Sequence, residues 1–117
     1  MKYLCLIYNQ EKNLAALSKS EWESLKEEYV AFTRGLRESG HHLGGASLQP
    51  TREARAVRVR NGRISATDGP FAETTEQLGG FYLIEARDLN DAIQVASGIP
   101  SARMGSIEVR PIMEFTS

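Results

Sequence analysis

The chain has 117 residues, 41% hydrophobic and 25% charged, which suits one domain over residues 1–117 and excludes wholesale disorder. Fourteen Lys and Arg against fifteen Asp and Glu leave a net charge of −1, so nucleic-acid binding driven by counterion release is not expected. The single Cys5 excludes an internal disulfide framework, and a chain of this length buries about two-thirds of its unfolded surface without staples.

Residues 3–8, Tyr-Leu-Cys-Leu-Ile-Tyr, are apolar at both parities and predict a central strand covered on both faces. This is the longest apolar run, far below the roughly 20 residues of a membrane-spanning helix, and the polar residues 9–13 end it without a signal-peptide cleavage pattern. A cytoplasmic protein is the expectation. After a polar connection over 9–17, Ser18-Lys19-Ser20-Glu21 is a capping-box pattern that predicts a helix start. Trp22, Leu25, Tyr29, Phe32 and Leu36 then recur at spacings of three and four, an apolar helix stripe that Ser39-Gly40 can terminate.

His41 to Gln49 reads as loop or irregular strand. Residues 56–60 alternate, Asn61-Gly62 is the strongest short hairpin signal, and residues 63–67 return antiparallel. Asp68-Gly69-Pro70 breaks the pattern, and Phe81-Tyr82-Leu83-Ile84 is a second strand apolar at both parities. Asp88 or Asn90 can cap a short helix over 91–96, closed by Gly98 and Pro100. Ile107, Val109, Pro111, Met113 and Phe115 alternate with charged residues, and the proline marks an edge strand. The order β-α-β-β-β-α-β predicts a ferredoxin-like α+β fold with an inserted hairpin strand and two helices on one sheet face. The other face is left apolar, which predicts burial against a second copy.

The most distinctive stretch is Asp68 to Tyr82. In one reading Asp68 closes a turn, Phe71 plugs the core, and Thr74 with Gln77 forms a one-turn capping box. In the other, Asp68 and Glu73 converge at a loop mouth as acid/base carboxylates, with Thr74 or Thr75 as hydroxyl donors. Tyr8 and Tyr82, near the ends of central strands, can line a pocket or sit in the core with satisfied hydroxyls. Arg58 and Arg60 share one side of the hairpin; with Arg110 they are either a solvated surface or an anion site. Adjacent His41 and His42 point apart in extended backbone with no third histidine, so no metal is expected, and no cofactor is called for. Cys5, inside an apolar strand, is expected to be an inert small hydrophobe.

The segments Asp68-Gly69-Pro70-Phe71-Ala72-Glu73-Thr74, Glu76 to Tyr82 and Gly105 to Pro111 resemble the YCII-related, or DGPF-domain, proteins of bacteria. Met1-Lys2-Tyr3, Leu6-Ile7-Tyr8, Leu43-Gly44-Gly45 and Leu48-Gln49-Pro50 extend the resemblance over essentially the whole chain. It implies a dimeric α+β barrel and no settled biochemical role. Shorter relatives of the YciI type are proposed to pair a first-helix histidine with an aspartate; that histidine position falls on Tyr29 here. Met104 stands where many members carry histidine or tyrosine. Frequent proximity to genes for extracytoplasmic-function sigma factors implies a regulatory link.

Two functional classes follow. The first is a homodimeric small-molecule-binding protein or enzyme, its pocket beside the 68–80 loop and lined by Tyr8, Tyr82, Thr74, Asp68, Glu73 and Arg110, with Asp68 or Glu73 as acid/base group. The second is a non-catalytic interaction module acting on a sigma factor or another transcription component.

Overall fold

In the computed structural model, which describes residues 1–115, the two strands apolar at both parities pair with each other at the centre of a four-stranded antiparallel sheet. Only the last two residues of the expected 1–117 domain lie outside the described ones. These strands are β1 (Lys2–Asn9) and β5 (Gln77–Glu85), with Cys5 opposite Tyr82 and Tyr3 opposite Ile84. The outer strands are β2 (His42–Ser47) beside β5 and β6 (Ser106–Pro111) beside β1.

Side chains alternate across the sheet, so each central strand serves two faces. Tyr3, Cys5, Ile7, Tyr82 and Ile84 point to one side and form a single core with Leu36 of helix α2 (Lys19–Glu38) and Ala92 and Ala96 of α3 (Leu89–Ser97). Both long helices therefore cover the same face, and the architecture is ferredoxin-like α+β. Leu4, Leu6 and Tyr8 of β1 and Phe81 and Leu83 of β5 point to the opposite, open face and are only partly buried.

Helix α2 begins where the sequence predicts. Ser18 Oγ accepts the Glu21 N–H at 3.1 Å, and Glu21 accepts the Ser18 N–H at 2.9 Å, the reciprocal capping box. The helix ends in a Schellman motif: Gly40 adopts φ +80°, the His41 N–H donates to Leu36 O, and the Gly40 N–H donates to Arg37 O. Within the predicted stripe, Leu25 and Leu36 are buried and Tyr29 and Phe32 pack against the core, while Trp22 in the first turn stays exposed.

Three features depart from the sequence reading, and a fourth resolves an alternative it left open. Residues Glu11–Ala15 form a short helix, α1, too short for any periodicity and without a side-chain cap. The segment after α2, read as loop or irregular strand, is the irregular strand: its pairing with β5 shifts register between His42 and Gly44, and Gly45 lets β2 approach β5 so closely that a Cβ would lie 2.8 Å from the Phe81 carbonyl oxygen. The hairpin of β3 (Arg55–Arg60) and β4 (Arg63–Asp68) forms at Asn61-Gly62, both with positive φ, but makes a separate two-stranded sheet instead of inserting into the main one. Strand β6 stops at Pro111, and Met113 and Phe115 are exposed.

Gly105 precedes β6 against the β1 backbone. A Cβ there would overlap the Tyr8 carbonyl oxygen and stand 3.0 Å from Asn9 Oδ1. Gly35, by contrast, sits inside α2 with open space around it. Gly105→Ala is therefore expected to destabilise the fold by about 2 kcal/mol or more. Gly35→Ala is expected to stabilise it by about 0.5–1 kcal/mol. Urea denaturation of the two variants checks both signs.

Candidate functional site

The chain reversals at the end of α2 and the start of α3 meet at one end of the sheet. The Schellman turn at Gly40 delivers His41 to this corner, and Asp88, as N-cap of α3, accepts the Asp91 N–H at 2.8 Å and so orients the first turn of that helix. His41 Nε2 lies 3.1 Å from Asp91 Oδ2, and His41 Nδ1 lies 2.6 Å from Ser39 Oγ. Asp91 also accepts the Arg87 backbone N–H at 3.0 Å and its guanidinium at 3.4 Å.

These bonds define the charge state. Chiefly the Arg87 N–H, then His41 and the Arg87 guanidinium, hold the Asp91 carboxyl down at about 2, against the opposing effect of burial. An ionised Asp91 is a pure acceptor, so Nε2 of His41 carries a proton and donates it. Nδ1 then accepts from the Ser39 hydroxyl when the ring is neutral. When the ring is protonated, Nδ1 donates, and the hydroxyl is free to turn to Leu36 O at 3.1 Å. Ser39, His41 and Asp91 thus form a line along which a proton can be taken up and returned.

The line borders an open depression of about 540 Å3, walled by Glu85 and Arg87 as well. Asp91 is 9% exposed and His41 22%, whereas the Arg87 side chain at the rim is 86% exposed. The site thus combines a fixed carboxylate, an accessible imidazole and an exposed cation. Spacing could not reveal it, because His41 and Asp91 are 50 positions apart. The capping pattern at Asp88 marks the helix start but gives Asp91 no partner beyond it.

The residues that the sequence singles out are dispersed. Asp68 ends β4 with its side chain 91% exposed and pairs with Arg55 at 3.1 Å. Glu73 is exposed on the loop that follows, and Phe71, at 83% exposure, does not plug the core. Thr74 donates its hydroxyl to Glu76 O, and Gln77 spans from Thr74 O at 2.6 Å to the Glu11 N–H at 2.9 Å; this braces the loop without forming a helical turn. Tyr82 lies on the helix side, its hydroxyl 2.7 Å from Thr33 Oγ1 and its ring edge-on to Phe32. Tyr8 and Arg110 share the open face, where Arg110 is paired with Glu108. The sheet itself therefore separates Tyr82 from Tyr8 and Arg110.

Tyr29 is bonded to Ser101 Oγ, and burial pushes its hydroxyl pKa up, so it is a packing residue there. Burial pushes the Cys5 thiol up to about 11, in keeping with an inert side chain. No helix is long and apolar enough to cross a membrane among the described residues.

Asp91 is depressed in the folded state, so its contribution to stability is present above its ordinary value of 3.8 and fades as the pH falls through about 2. The melting temperature of Asp91→Asn should lie below that of the wild type at neutral pH, with the gap closing between about pH 4 and pH 2. Thermal melts of both proteins across that range provide the check.

Similarity to known proteins agrees with this architecture. The family model for the YCII-related domain matches residues 1–116. A protein of Rhizobium meliloti (strain 1021), described as uncharacterised, is 41% identical over 114 residues, covering 96% of this chain and 92% of that protein. A match that runs the length of the sheet and both long helices places the chain in the YCII-related family.

Proposed function

We propose that the protein acts as a homodimer that binds a small polar molecule, with the Ser39–His41–Asp91 line as its acid–base element. The observation that carries this reading is the imidazole of His41, held from both sides by Ser39 and an ionised Asp91 while still reachable from the depression. Arg87 at the rim favours a ligand with a carboxylate, phosphate or carbonyl oxygen. Proton transfer at such an oxygen is the chemistry that the arrangement supports.

The dimer half of the proposal draws on the open sheet face. Leu4, Leu6, Phe81 and Leu83 form an apolar strip there, and two such faces packed together give the α+β barrel implied by family resemblance. In one chain Asp68 and Glu73 face solvent, so an acid/base role for either requires a second copy to cover it. Tyr8 and Arg110 would then line the interface.

The second reading, an interaction module for a sigma factor, is favoured by the exposed apolar side chains of the β3–β4 hairpin. Recovery of a stoichiometric complex with a sigma factor at moderate salt would support it.

Native mass spectrometry of the purified protein, followed by denaturation, tests the first reading. A dimer that releases a small oxyanion or carbonyl compound is expected. His41→Gln and Asp91→Asn should each lower ligand occupancy at least tenfold with the circular dichroism spectrum retained. Unchanged occupancy in both variants would remove the site assignment. Leu6→Lys should shift the dimer toward monomer.

A further inference from the structure

Ser39 follows the last turn of α2, and that turn does not need its hydroxyl. The Leu36 carbonyl oxygen, which the hydroxyl reaches at 3.1 Å, already accepts the His41 N–H at 3.0 Å. Ser97 at the end of α3 is the internal comparison. Its hydroxyl donates to Gln94 O at 2.7 Å in the same backward pattern, with no imidazole bonded to it among the described residues. Ser39 differs in lying 2.6 Å from His41 Nδ1. Of the two adjacent histidines, His42 instead stands edge-on to the Tyr82 ring.

A hydroxyl is a weak nucleophile until a base takes its proton, which requires a hydroxyl–base distance of about 2.6–3.2 Å and a third group that orients the base. Ser39 Oγ to His41 Nδ1 at 2.6 Å, and His41 Nε2 to Asp91 Oδ2 at 3.1 Å, meet that requirement. The ionised Asp91 keeps the proton on Nε2 and so leaves the Nδ1 lone pair toward Ser39; it also balances the imidazolium that forms. Hydroxyl, imidazole and carboxylate in this order are recognised by geometry and roles, whatever the fold. The oxyanion that such an attack creates needs donors. Arg87 spends one N–H on Asp91 at 3.4 Å, and the rest of its guanidinium is exposed at the rim of the same depression.

We infer that Ser39 is the nucleophile of an acyl-transfer activity on small esters, with His41 as its base, Asp91 as the positioning residue and Arg87 as donor to the carbonyl oxygen. This rests on the acid–base reading above and deepens it by naming the reaction. Ser39 Oγ bonds to the acyl carbon as its proton passes to His41 Nδ1. The ester C–O bond then breaks, and the alcohol leaves with that proton. Water adds to the acyl carbon by the same route, releasing the acid and restoring the hydroxyl. Ester and water thus give acid and alcohol with no other reactant. The open depression of about 540 Å3 suits a small ester and admits that water.

Labelling of the full-length protein with an alkyl fluorophosphonate, read by peptide mass spectrometry, tests the inference. In that reaction the Oγ–P bond forms, the P–F bond breaks and fluoride leaves. One adduct per chain is expected, on Ser39, and 4-nitrophenyl acetate should acylate the same residue. The adduct should be absent from Ser39→Ala and unchanged in Ser97→Ala. His41→Gln, Asp91→Asn and Arg87→Ala, with the circular dichroism spectrum retained, should each lower the maximal labelling rate at least tenfold. In Asp91→Asn the half-saturating reagent concentration should hold, a split that a merely structural role would not produce. No adduct on Ser39, or labelling spread over several serines, overturns the nucleophile. If the small molecule released from the same preparations on denaturation still depends on His41, the binding reading stands without it; if that dependence is also missing, both fall.

Discussion

The antiparallel pairing of β1 with β5 is the constraint on which the other elements depend. Both strands carry large apolar side chains at odd and even positions, so neither can lie at an edge or face water on either side without loss. One face is resolved within the chain, where Tyr3, Cys5, Ile7, Tyr82 and Ile84 meet α2 and α3. The opposite face keeps Leu4, Leu6, Phe81 and Leu83 partly exposed, because two helices span only one side of a four-stranded sheet. The partly exposed apolar strip is thus a consequence of the core.

The same pairing explains what the family's signature segments do in one chain. Gly45, Gly80 and Gly105 stand where backbones approach too closely for a Cβ, and Gln77 ties the 70–76 loop to the start of α1. Much of the motif therefore maintains sheet geometry, whereas the Ser39–His41–Asp91 line lies elsewhere. His41 and Asp91 come together because β2 and β5 are neighbours, which sets the C-terminal turn of α2 against the N-terminal turn of α3. Each residue does a helix-end task first, His41 in the Schellman turn and Asp91 in the cap. Their side chains are then left facing each other over an open depression.

Local chemistry made much of the fold legible. The Ser18–Glu21 capping box, the stop at Gly40, the Asn61-Gly62 turn and the two-faced runs at 3–8 and 81–84 each express an interaction within a few residues or a simple period, and each appears in the structure. Strand β2 reads only as loop or irregular strand because Gly44 and Gly45 have no side chain to alternate, and α1 leaves no signal because five residues hold too little pattern. Among the site residues, the sequence could mark Asp68, Glu73 and Thr74 as unusual but could not show whether they face solvent, since exposure is set by what packs around them.

The sequence by itself determined the central strand pair, the ends of the long helices and the hairpin, because hydrogen bonds and side-chain period are properties of contiguous residues. Only the tertiary structure decided that the hairpin stands off the sheet, that Tyr82 is parted from Tyr8 and Arg110, and that His41 meets Asp91. Those outcomes depend on which strands are neighbours and which face a helix covers. Both follow from the packing of the whole chain at once and leave no mark at any fixed spacing along it.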